Sequence, residues 1–172
     1  EYAKNYEFDY CVAVDGDGDR IVLSDAKGRI FTGDDILYTL ASRNKMIGKD
    51  QSDSVIGTTM SNQGVVEALG KLGISFLRTD VGDKYISREL VKHDLNVGAE
   101  PSGHIIQREF SESGDANIAL IQTLAALQEL DTTIEEIKKN INYKPLSLRN
   151  FSVDNVAVVE SQIFIESIDK LQ

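Results

Sequence analysis

Cysteine occurs once in this 172-residue chain, at Cys11, so no disulfide can form within it and a reducing, cytoplasmic setting is expected. The thiol sits in the apolar run Tyr10-Cys11-Val12-Ala13-Val14, which predicts a buried structural role. No apolar stretch approaches the roughly 18 residues a membrane-spanning helix needs, and no secretory leader is visible. Basic blocks are missing too: 18 Lys and Arg stand against 28 Asp and Glu, a net charge of −10. A polyanion needs a Lys/Arg footprint, so nucleic acid is not an expected partner; a small anionic substrate held by a few placed cations remains compatible. Internal repeats and low-complexity tracts are absent. The first residue is not Met and both ends read as cut, so a piece of a longer polypeptide is expected.

Hydrophobic residues make up 41% of the chain, enough to build a core. Their spacing, with the Gly and Asp punctuation between them, predicts alternating strands and helices. Strands are expected over 10–14 and 20–24, followed by a turn at 26–29 and a hairpin return at Ile30-Phe31. From Gly33 the period lengthens. Asp34 or Asp35 is placed to cap a helix carrying Ile36, Leu37, Leu40 and Ala41 on one face. Further strands are expected at 54–57, 74–78, 95–99 and 104–108, and helices at 62–72, 84–93, 115–130 and 134–139. This alternation implies βαβ units. The predicted fold is α/β, a mixed, largely parallel sheet flanked by helices, with a β-hairpin from a preceding unit. Boundaries are expected near Gly33 and near Lys144-Pro145, dividing the chain into 1–33, 34–144 and 145–172.

The most informative segment is Asp15-Gly16-Asp17-Gly18-Asp19-Arg20. Three carboxylates at alternate positions follow a hydrophobic strand, and the interleaved glycines let the backbone fold so that they converge. Asp-Gly pairs commonly form solvated turns. Three like charges this close, however, repel unless something positive sits among them. A hard divalent cation with oxygen ligands is the natural solution, and Mg²⁺ is the expected ion, with Arg20 beside it as a fixed cation suited to phosphate. An EF-hand needs Gly at its sixth position and Glu at its twelfth, where this chain has Arg20 and Ala26. A haloacid-dehalogenase-type phosphatase matches Val14-Asp15-Gly16-Asp17-Gly18 but expects Thr or Val where Asp19 stands, and is kept as an alternative.

The hexapeptide resembles the metal loop of the α-D-phosphohexomutases, and further segments follow in that family's order. Thr59-Met60-Ser61-Asn62-Gln63-Gly64 and Arg78-Thr79-Asp80-Val81-Gly82-Asp83-Lys84-Tyr85 are similar to stretches of its phosphoglucosamine mutase branch. Gly98-Ala99-Glu100-Pro101-Ser102-Gly103-His104-Ile105-Ile106 resembles the branch's Gly-Gly-Glu-Gln-Ser-Gly-His-Ile-Ile sugar loop, and Ser113-Gly114-Asp115 its Thr-Gly-Asp. Pro101 in place of Gln removes a donor and stiffens the loop, and Lys84 in place of Arg keeps charge without the bidentate fork.

The resemblance implies four domains, with 1–33 ending the second, 34–144 forming the third and 145–172 starting the fourth. It implies a mutase that interconverts a hexose 6-phosphate and 1-phosphate, glucosamine phosphate first and mannose or glucose phosphate as sister substrates, through a phosphoserine and a bisphosphorylated sugar. Asp15, Asp17 and Asp19 would bind Mg²⁺ and Arg20 would contact phosphate. Glu100, Ser102, Gly103 and His104 would hold the sugar, with His104 assisting proton transfer. The family's Thr-Ala-Ser-His-Asn-Pro-like serine loop does not occur in this sequence, so the 172 residues alone are expected to be inactive. The expected partners are the phosphosugar and the remaining domains of the same polypeptide, and a homodimer of the full-length enzyme is left open. A stand-alone domain that grips a sugar phosphate without chemistry is the alternative from another class.

Overall fold

In the computed structural model the described residues are 7–49, 53–147, 161, 162, 164 and 166. Most of the segment 145–172, expected to begin a further unit, therefore lies outside the described residues. Three strands come first: β1 (Tyr10–Val14), β2 (Ile21–Asp25) and β3 (Ile30–Phe31) form an antiparallel sheet in that order. Alternation decides its faces. Ile21, Leu23 and Phe31 point inward and are fully buried, whereas Val22 and Ile30 point outward and are exposed. Cys11 pairs with Ser24 on that outward face and is half-buried, so the buried thiol expected from its apolar neighbours is not found. β1 is an edge strand, and its Val12 and Val14 are exposed as well.

The β/α alternation then runs α1 (Gly33–Ile47), β4 (Ser54–Thr58), α2 (Gln63–Lys71), β5 (Ser75–Thr79), α3 (Asp83–Lys92), β6 (Val97–Ala99), β7 (Ile105–Gln107), α4 (Ala116–Glu129) and α5 (Ile134–Asn140). The second sheet has the order β5-β4-β6-β7, with β4 parallel to both β5 and β6 and β7 antiparallel to β6. The expected α/β fold with a mixed, mainly parallel sheet is the observed one. The central strand β4 reads Ser-Val-Ile-Gly-Thr, an apolar run without alternation, because helices cover both of its faces. On one face α1, α2 and α4 bury Leu37, Leu40, Val65, Leu69 and Ala119 against Val55, Val97 and Ile105. On the other α3 buries Ile86 and Leu90 against Ile56 and Ile106. Each buried Leu, Ile or Val among them contributes roughly 1.5–3 kcal/mol of transfer free energy. The inward residues of β2 and β3 belong to the same core as α1, so the small sheet is welded to the α/β layers.

The helix starts explain where the loops go. Thr32, two or three residues before the expected Asp34 or Asp35, is the N-cap of α1. Its backbone N–H and its hydroxyl both donate to Asp35 Oδ2, at 2.7 and 2.8 Å. Asp35 is fully buried and also accepts from Lys138 Nζ at 3.1 Å and from the Tyr143 hydroxyl. That cluster ties α1 to α5 and to the segment after it. Among the described residues no helix is long and apolar enough to cross a membrane.

Candidate functional site

The parallel strands β4, β5 and β6 end on one edge of the sheet, so the loops that follow them cluster there. This is the edge on which open α/β sheets place ligands. The loop after β4 is Thr59–Asn62, the loop after β5 is Asp80–Gly82, and the loop after β6 is Glu100–Gly103. Adjacent loops are stitched together. Thr59 N donates to Thr79 O at 2.9 Å, and Gly82 N donates to Glu100 Oε1 at 2.9 Å. Arg78 Nη1 donates to the carbonyls of Thr58 and Ser61 at 2.8 and 3.0 Å, and its Nη2 to Gln63 Oε1 at 3.0 Å, so this cation holds loop shape.

Glu100 is 8% exposed, one oxygen on Gly82 N and its own backbone N–H donating to His104 O at 2.9 Å. Gly103 N donates back to Glu100 O at 3.0 Å, closing a tight turn that leaves the Ser102 hydroxyl exposed and without a partner among the described residues. Gly103 has φ 97°, and a β-carbon there would lie 2.0 Å from Ile21 O, so only glycine lets this turn cross β2. The turn is bound to that strand directly: Ile21 N donates to Gly103 O at 3.0 Å, and Arg20 and His104 form a β-bridge.

The bridge brings the acidic loop to the same edge. Asp15, Asp17 and Asp19 offer carboxylate oxygens that all lie within 4.8 Å of one another. Arg20 N donates to Asp15 Oδ1 at 3.1 Å, and its Nε stands 4.0 Å from Asp15 Oδ2 and 3.9 Å from Asp19 Oδ1. Burial pushes the Asp15 carboxyl up, but the Arg20 N–H, the Asp19 side chain and the Arg20 charge outweigh it and hold the group below its ordinary value. Asp19 Oδ1 is buried without a hydrogen-bond partner. Three hard oxygen donors at this spacing, one of them an orphaned carboxylate oxygen, fit a divalent cation such as Mg²⁺. The loop is held on its other side by Ala116, at the start of α4, whose N–H donates to Gly18 O at 3.0 Å.

The structure thus gathers Asp15, Asp17, Asp19, Arg20 and His104 at one point and sets Glu100, Ser102 and Gly103 in the adjoining turn. His104, expected to face a sugar, is 3% exposed; its Nδ1 lies 3.1 Å from Asp19 Oδ2, and its Nε2 is buried without a partner. Several participants were missed in the sequence: Gly82 on Glu100, Gly114 behind the His104 ring, and Gly33, where a β-carbon would meet Glu100 O at 1.9 Å. Their shared signal is a Gly-Asp pair at a helix start, seen at 33–34, 82–83 and 114–115. In the sequence Asp34 reads only as a candidate cap. It is 3% exposed, accepts from Asn62 N at 2.7 Å through Oδ2, and leaves Oδ1 buried and unpaired.

Residues 32–143 match the family model for phosphoglucomutase/phosphomannomutase, alpha/beta/alpha domain III. The chain is 41% identical over 159 residues to a phosphoglucosamine mutase of Hahella chejuensis, covering 92% of this chain and 36% of the relative. It is 39% identical over 142 residues to that of Parvibaculum lavamentivorans, covering 83% and 32%. The chain therefore spans about a third of the length of the curated relatives it matches. Among solved structures, an N-acetylglucosamine-phosphate mutase in its substrate complex superposes with a TM-score of 0.77 at 18% identity, covering 94% of this chain and 40% of that one. The Aspergillus fumigatus N-acetylphosphoglucosamine mutase, solved with GlcNAc-6P and magnesium, gives 0.66 at 22%, covering 79% and 33%. At such identities these two establish the fold alone. The domain match over 112 of 172 residues, and relatives near 40% identity, place the chain in the phosphoglucomutase/phosphomannomutase family.

Proposed function

We propose that this chain supplies the metal loop and the sugar loop of a phosphosugar mutase that converts glucosamine 6-phosphate to glucosamine 1-phosphate. The observation that carries the reading is the joining of the two loops, with Asp19 on His104 and Arg20 bridged to it. The proposed division is 1–33 as the end of one domain, 34–144 as the next, and 145–172 as the start of another. Asp15, Asp17 and Asp19 would hold Mg²⁺, whose charge, when bound, offsets that building on a transferring phosphoryl group. The names of the phosphoglucosamine mutase relatives and the magnesium in the Aspergillus protein support this.

The chain's own residues have separate tasks. Arg20, with its side chain 53% exposed, keeps its guanidinium beside the carboxylates and free to meet phosphate. Glu100, fixed by Gly82, and the open Ser102 hydroxyl address sugar hydroxyls, and Gly103 shapes the turn. The phosphoserine that donates the phosphoryl group, by way of a bisphosphorylated sugar, is assigned to another part of the polypeptide. One cysteine and a phosphorylated sugar fit a cytoplasmic reaction.

The test is a coupled assay on the intact polypeptide carrying this chain, with glucosamine 6-phosphate, Mg²⁺ and a trace of bisphosphorylated sugar. Glucosamine 1-phosphate should form, and Asp17→Asn should lower turnover about a hundred-fold or more, the scale on which one electrostatic group counts in an active site. The 172 residues alone should give none. Faster turnover of mannose or glucose phosphates would move the substrate to a sister mutase. Release of inorganic phosphate without isomerised sugar would overturn the mutase reading.

A further inference from the structure

The imidazole of His104 belongs to the sugar loop by sequence and to the metal loop by contact. It is 3% exposed, and its one hydrogen bond among the described residues is Nδ1 to Asp19 Oδ2 at 3.1 Å. An ionised carboxylate only accepts, so Nδ1 carries the hydrogen. Nε2 is enclosed without a partner, and a β-carbon on Gly114 would approach it to 2.5 Å. The ring is therefore wedged between a glycine and a carboxylate, with Nδ1 committed to Asp19 and Nε2 left without a partner among the described residues. Its backbone is equally fixed, through the bridge to Arg20 and the Glu100 N–H on His104 O.

We infer that His104 is a positioning residue for the metal loop: it holds Oδ2 of Asp19 so that the carboxylate stays turned toward Asp15 and Asp17. The inference rests on the metal reading proposed above and deepens it. Without that hydrogen bond Asp19 is free to rotate away from two like charges within 4.8 Å, and the donor set disperses whenever no cation is bound. With it, the set is assembled beforehand. Partners that orient a ligating carboxylate typically govern metal affinity by about 10–100-fold.

The decisive contrast is between two polar substitutions of similar bulk in the intact polypeptide. Asn places an amide N–H near the position of Nδ1, whereas Gln places it near that of Nε2. Mn²⁺ serves as the probe, titrated by electron paramagnetic resonance at one fixed pH, with the thermal midpoint of each metal-free variant recorded alongside. Wild type should bind one Mn²⁺, His104→Asn should keep most of that affinity, and His104→Gln should lose about 10–100-fold. The metal-free midpoints should not follow this order, because the role is in binding. Equal affinity in Gln and wild type would overturn the inference, as would an equal loss in Asn and Gln. If wild type binds no Mn²⁺, or Asp17→Asn binds it as tightly as wild type, the metal reading itself fails and takes this one with it.

Discussion

Asp34 is a carboxyl that the fold would rather keep neutral. Burial pushes its pKa up, and the Asn62 N–H, the Ser61 hydroxyl and the Arg78 charge only partly offset this, while Asp35 adds to the rise. A raised carboxyl means that the unfolded state releases its proton first, so stability falls as pH climbs from the ordinary value of 3.8 through the folded one. Asp34→Asn keeps an oxygen for Asn62 N and removes the charge. The variant should be more resistant to urea than wild type at pH 7, and the gain should shrink below about pH 4, where both forms are neutral. A gain that is constant with pH would show that charge is not the cause. At this scale the sequence was legible where chemistry lies in residue type. The spacing of Asp15, Asp17 and Asp19 announced convergence. The contacts of Asp19 with His104 and of Gly82 with Glu100 were not legible, because they join residues 85 and 18 apart through sheet order.

Elements were read from period and punctuation, and the long helices and the parallel strands followed that signal closely. Caps followed it less well. Asp34 and Asp35 both look like caps, yet Thr32 is the N-cap and the helix begins at Gly33, because Asp35 accepts from Thr32 and is drawn into a buried cluster with Lys138 and Tyr143, over a hundred residues away. Asp115 is the clearest case of a cap that also serves the site. Its Oδ1 accepts from Asn117 N and Ile118 N at 2.8 and 2.9 Å, and the next residue donates to Gly18 in the acidic loop. Asp115→Ala should cost about 1 kcal/mol of stability, the usual worth of an N-cap. Because fraying begins at Ala116, it should also weaken Mn²⁺ binding although no ligand is changed. A stability loss with untouched Mn²⁺ affinity would separate α4 from the loop.

At the scale of the molecule, α5 adds a further tie between the small sheet and the α/β layers, beside the core that β2 and β3 share with α1. Ile134 and Ile137 enter the common core, Lys138 reaches Asp35, and Glu135 gathers the cations of the 26–29 turn. Glu135 accepts from Lys139 at 2.8 Å, from Arg29, and from Lys27 at 3.3 Å. The bond to Lys139, followed by those to Arg29 and Lys27, lowers its carboxyl to about 2. Asp25, the last residue of β2 beside that turn, is also lowered: burial pushes it up, and Arg29 and the backbone N–H groups outweigh that. A depressed carboxyl stabilises the fold above its unfolded value and loses that contribution as pH falls through the folded one. For Glu135 the window runs from 4.5 down to about 2. This opposes the sign for Asp34, so the two are separable by substitution. Glu135→Gln should be less stable than wild type at pH 6, measured by urea midpoint. The gap should close as pH approaches 2, where the wild-type carboxyl takes up its proton and the 26–29 turn loosens from α5. Amide exchange in that turn should rise over the same window in wild type, whereas in Glu135→Gln it should already be fast at pH 6 once the intrinsic pH dependence of exchange is removed. Exchange that stays slow in the variant would mean that the ion pairs of Glu135 are not what holds the turn against α5.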